Sequence, residues 1–79
     1  MEDHMLIKLT LEAILGKYVP DDPDAYEVPF GMNVGELIAK LGIPEHLVMF
    51  VIVNGQMATL DTILQDNSSV SLCPYICGG

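Results

Sequence analysis

The chain has 79 residues and a mass of 8.6 kDa, enough for one domain whose folding hides about 60% of the unfolded surface from water. Apolar residues make up 51% of it and charged residues 18%, which suits a packed core and excludes a disordered acidic tail. Eleven carboxylates against three lysines and no arginine give a net charge of −8, so binding to a nucleic-acid backbone, which needs clustered Lys or Arg, is excluded.

An acidic surface of this strength suits a basic protein partner, whose approach it steers, or serves simply to keep a greasy small domain soluble. The longest apolar run, Leu47–Val53, is seven residues, far short of the ~20 that a bilayer-crossing helix needs. Glu2 and Asp3 at the start, with Lys8 and Glu12 following, speak against a secretory signal. Two cysteines cannot make a secreted disulfide framework. The expectation is a reduced, cytoplasmic protein.

In chain order, Ile7, Leu9, Leu11 and Ala13 alternate with Lys8, Thr10 and Glu12, which predicts a half-buried first strand. Gly16 and the Pro20–Asp24 stretch predict a turn and a solvated loop. Tyr26, Val28 and Phe30 alternate with Glu27 and Pro29, a second strand that its proline assigns to an edge. Asn33 is placed to cap a helix, with Glu36 completing a capping box. Val34, Leu37, Ile38 and Leu41 then form one apolar stripe, and Gly42 and Pro44 stop the helix. Two turns cannot stand alone in water, so the stripe must lie on a sheet.

Val48–Val53 reads as a strand buried on both faces, and Asn54–Gly55 as a hairpin turn that brings Gln56–Ala58 back beside it. Asp61–Leu64 reads either as a short strand or as a 3₁₀ turn before a turn at Asp66–Ser68. Val70, Leu72 and Pro74 belong to a last strand, parallel to the first. This order predicts an α+β roll of the β-grasp, ubiquitin-like type. It combines a mixed four- to five-stranded sheet and one main helix, over residues 1–75, with a flexible Gly-Gly tail at 76–79.

No catalytic triad, phosphate loop or metal-ligand cluster stands in the sequence. His4, expected in a frayed N-terminus, and His46 read as surface residues, and Met49 and Met57 as core filler. The notable feature is the ending, Cys77–Gly78–Gly79, directly after a strand. Two residues without a β-carbon let backbone enter a channel too narrow for side chains. A terminal carboxylate is ionised at neutral pH and can attack the α-phosphate of ATP as an oxygen nucleophile. A sulfur donor that then displaces AMP leaves a thiocarboxylate.

Val34-Gly35-Glu36-Leu37, Leu41-Gly42-Ile43-Pro44, Val53-Asn54-Gly55 and Val70-Ser71-Leu72 lead into Pro74 and Gly78-Gly79. In these motifs the chain resembles the sulfur-carrier proteins of the ThiS/MoaD group, relatives of ubiquitin. The resemblance is densest over residues 33–79. It implies that Gly79 is adenylated by an E1-like, ATP- and zinc-dependent enzyme of the MoeB/ThiF type and then thiocarboxylated. It further implies a sulfur donor such as a cysteine desulfurase, and an acceptor enzyme, either the molybdopterin synthase large subunit or a thiazole synthase. The carrier itself is then no enzyme and binds no cofactor, ATP being used by its partner. The Val-Ser-x-x-Pro-x-x-x-Gly-Gly ending is similar to the molybdopterin synthase small subunit. Cys73 and Cys77 fit neither that pattern nor the thiamine-type one, and the thiamine alternative stays open.

Cys77 is a candidate auxiliary thiol two residues from the carboxylate, or a tolerated surface residue. Phe50, Leu60, Leu72 and Tyr75 are candidates for an apolar docking patch near the tail, with ordinary core positions as the alternative for Phe50 and Leu72. Two other classes remain: a modifier conjugated through Gly79 to lysines, and an interaction module with an inert tail.

Overall fold

The computed structural model describes residues 4–74. Five strands form one mixed sheet: β1 (His4–Leu11), β2 (Tyr26–Pro29), β3 (Val48–Val53), β4 (Gln56–Ala58) and β5 (Ser69–Pro74), in the order β2-β1-β5-β3-β4. A single α-helix, α1 (Val34–Lys40), lies between β2 and β3 in sequence. This is the expected β-grasp arrangement, with β1 and β5 parallel at the centre and the other neighbours antiparallel.

Alternation in β1 works as the pattern demands. Met5, Ile7 and Leu9 are buried while His4, Leu6, Lys8 and Thr10 are exposed. The buried set joins Val28, Val70, Leu72 and Val51 from the other strands and Val34, Leu37 and Ile38 from α1 in one core. The helix therefore covers one face of the sheet. Strand β1 begins earlier than expected: His4 is not in a frayed end but pairs with Pro29 across the ladder, its ring 3.5 Å from Glu27. It ends at Leu11, because Ala13 takes a φ of +50° and turns the chain out of the sheet.

The helix owes its place to its ends. The Asn33 side chain accepts from the Glu36 N–H at 2.8 Å, and Glu36 accepts from the Asn33 N–H at 3.0 Å. The next free donors, Val34 and Gly35 N–H, go to the Thr62 and Leu60 carbonyls, both at 3.0 Å. At the other end Gly42, with φ +79°, donates to Ala39 while Ile43 donates to Ile38. Those two bonds are a Schellman closure, and the buried Ile38 and Ile43 supply its apolar contact.

Three further expectations change. The stretch after β1 is not a plain solvated loop: it holds 3₁₀ turns at Ala13–Tyr18 and Pro23–Ala25, and Leu15 is fully buried. Segment 61–64 makes one bridge, Asn33 to Ile63, rather than a ladder strand. Strand β3 is not buried on both faces, since Val51 alone is buried in it. Its register slips between Val48 and Phe50, a bulge that puts Met49 out of alternation. The Asn54–Gly55 turn closes the β3–β4 hairpin with both residues at positive φ, as a type I′ turn requires.

Leu37→Ala is expected to cost roughly 2–5 kcal/mol, because the side chain is fully enclosed between helix and sheet. Asn33→Ala should cost about 1 kcal/mol through loss of the cap. Urea unfolding of both variants checks the ranking; equal or negligible costs would contradict it.

Candidate functional site

With the helix on one face, the other face of the sheet is open. Along β3 the side chains of Phe50 and Ile52 alternate with the buried Val51. Phe50 pairs with Cys73 of β5, and Ile52 lies between Ser71 of β5 and Met57 of β4. This register gathers Phe50, Ile52 and Met57 on the open face beside the last strand. Phe50 is 44% exposed and Met57 68%.

Leu72 does not belong to that patch. It is 0% exposed and lies in the core, because it pairs with Val51, and both residues point toward the helix. Leu60 is half-buried against the core, and its carbonyl holds the helix N-terminus. It lines a shallow groove at the β4 edge with Glu45, Met49 and Met57, and of these the open face includes only Met57. Met49 and Met57 are not core filler. The bulge expels Met49, 48% exposed, and Met57 sits 68% exposed on the three-residue edge strand β4. Ile52 and Met57 escaped the sequence reading, although a period of two from Phe50 points to Ile52.

Tyr75, Cys77, Gly78 and Gly79 lie outside the described residues, as does the expected boundary between domain and tail. The described part of the chain leads to them through Pro74 at the end of β5, which is held on both sides by β1 and β3. Among the described residues no group of three or more His, Cys, Asp or Glu side chains is arranged to hold a metal ion. No helix among them is long and apolar enough to cross a membrane. His46 is exposed in a 3₁₀ turn, Glu45–Leu47.

The open apolar patch lies beside the strand that precedes the Gly78–Gly79 end in sequence, and the sequence model of the ThiS family matches residues 14–79. The chain belongs to the ThiS family. Members of that family are small ubiquitin-like carrier proteins, generally non-catalytic. The solution structure of the Haloferax volcanii HVO 2177 protein is similar, with a TM-score of 0.77 at 22% sequence identity. The match covers 100% of this chain and 91% of that one, and it supports the fold. No curated protein sequence matches the chain significantly. The ThiS-family match begins after β1, whose place in the sheet rests on its alternating burial and its pairing with β2 and β5.

Substitution separates the two faces of β3 and β5. Phe50→Glu is expected to leave the thermal midpoint within a few degrees of the parent, as an exposed position should. Leu72→Asp buries an unpaired carboxylate and should abolish the cooperative transition. Circular dichroism on heating reads both; a folded Leu72→Asp protein would refute the core assignment.

Proposed function

We propose that this ThiS-family protein is a sulfur carrier, working in the cytoplasm, that is charged at the carboxylate of Gly79. The reading is supported above all by the Gly78–Gly79 ending within a family match that runs to residue 79. An E1-like enzyme binds ATP, and the Gly79 carboxylate attacks its α-phosphate, expelling pyrophosphate and forming an acyl-adenylate. The outer sulfur of a cysteine desulfurase persulfide then displaces AMP to give an acyl disulfide, and a reducing thiol attacks the donor's sulfur in it, releasing the thiocarboxylate and leaving a mixed disulfide on the donor. All reacting groups other than the terminal carboxylate belong to the partners. The chain's own contribution is position: a narrow end to thread, and a folded body that fixes where threading starts.

The acceptor we favour is the large subunit of molybdopterin synthase. The support is the spacing Val70-Ser71-x-x-Pro74-x-x-x-Gly78-Gly79. Within the open face, Phe50 is the proposed anchor for the activating enzyme, with Leu60 at the β4 edge and Tyr75 toward the tail as further contacts. Cys77 is proposed as an auxiliary thiol that exchanges sulfur with the donor.

Incubated with its E1-like enzyme, Mg-ATP and sulfide, the intact chain should gain about 16 Da at Gly79, one oxygen replaced by sulfur. A chain ending at Gly78 should gain nothing, because its carboxylate stops one residue short of the phosphate. Gly78→Val should block the gain while unfolding normally. Equal labelling of full and shortened chains would refute the carrier reading, and an isopeptide-linked product would favour a modifier. Offering the charged protein to molybdopterin synthase and thiazole synthase large partners in turn distinguishes the two pathways.

A further inference from the structure

Four of the five methionines lie among the described residues, and the fold treats them in two ways. Met5 is buried in the core, and Met32 packs half-buried against it. Met49 and Met57 belong neither to the core nor to its partly buried lining, although both are large apolar side chains. The bulge turns Met49 out of the alternation of β3, and Met57 stands on the edge strand of the sheet. Both line one groove of about 320 Å³, together with Val48, Val51, Ala58 and Glu45.

An exposed thioether meets dissolved oxidants that a core thioether does not. Its sulfur lone pair attacks the terminal oxygen of a peroxide. The S–O bond forms, the O–O bond breaks, and the departing oxygen takes up the proton as water or an alcohol. Sulfur loses two electrons and the peroxide gains them. A dithiol reductase reverses the change, becoming a disulfide and releasing the oxygen as water. The sulfoxide replaces a flexible apolar side chain by a polar, chiral hydrogen-bond acceptor. Neither residue supplies burial to the core, and the β3–β4 ladder that carries Met57 is made of backbone groups. The conversion therefore leaves the fold standing and changes the surface.

We propose that Met49 and Met57 form a reversible oxidation site at the β4 edge, converted by peroxides to a pair of sulfoxides, and that this modification slows charging of the chain. The effect on charging rests on the carrier reading. Met57 shares the open face with Phe50 and Ile52, so its sulfoxide puts an S=O dipole beside the proposed anchor. An acceptor covered by a partner without a donor opposite it loses its bonds to water and weakens the complex. Peroxide thereby holds the carrier uncharged, and reduction of the two sulfoxides releases it, with the amount of folded protein constant.

Hydrogen peroxide applied to the folded chain and then removed, with a thiol reductant added to restore the cysteines, tests this by peptide mapping. Met49 and Met57 should oxidise at least ~tenfold faster than Met5, with Met32 between them, and in urea all four should react alike. Mapping is required because one sulfoxide adds about 16 Da, as a thiocarboxylate does. The thermal midpoint should stay within a few degrees of the untreated protein. At limiting carrier concentration the oxidised protein should be charged by its E1-like enzyme roughly fivefold more slowly. Methionine sulfoxide reductases should restore the rate. M49L/M57L should charge at one rate before and after peroxide, whatever that rate is. Equal oxidation of all four methionines in the folded chain overturns the site. Unslowed charging with both residues as sulfoxides, or equal slowing of M49L/M57L by peroxide, overturns the effect. Absence of a thiocarboxylate on the untreated chain overturns the carrier reading instead, and the mapping still decides the oxidation site.

Discussion

A single seven-residue helix has to cover a five-stranded sheet, and it can cover only one side of it. A helix of that length does not persist unaided in water. It survives because each end is tied into the rest of the chain. The first-turn donors reach Asn33 and the carbonyls of Leu60 and Thr62, and the last turn is closed by Gly42 and Ile43. Segment 60–64 is thereby drawn against the helix start, with Leu64 buried beneath it. At Gly35 an added β-carbon would sit 3.5 Å from the Leu60 carbonyl, which shows how closely the two segments run. Everything on the uncovered side of the sheet follows from this economy of covering material.

Much of the fold was legible because its signals are local. The Asn33–Glu36 box, the Gly42 stop and the Asn54–Gly55 turn each declare themselves within four residues, and each is present. The alternation of β1 survives because one of its faces meets the helix and the other does not. Leu15 was hidden for the opposite reason. It enters the core from a 3₁₀ turn, where neither a period of two nor one of 3.6 applies. Segment 61–64 likewise carries no period, because its backbone serves the helix end instead of a ladder.

The open face was blurred in the sequence, and the Gly78–Gly79 end lies outside the described residues. Gly78–Gly79 is a property of composition and place, and it can be read without a structure. The face required knowledge of which side of β3 the helix takes. A continuous apolar run such as Val48–Val53 looks the same whether a second layer covers it or a partner does. Phe50 and Leu72 were therefore indistinguishable as text, yet the register sends one outward and the other into the core. The bulge at Met49 depends on how β3 meets β5, a pairing between segments some twenty residues apart, and nothing within β3 announces it.

The placement of β5 between β1 and β3 bears on how the protein is made. Until Ser69–Pro74 has left the ribosome, β1 and β3 have no common neighbour, and the core lacks Val70 and Leu72. Contacts between the two ends of the described chain are the slowest kind to close, since a long loop must be ordered first. The body therefore completes itself only when synthesis has reached the segment that leads into the tail. A chain cut short before β5 lacks the strand that joins β1 to β3 and cannot close its core.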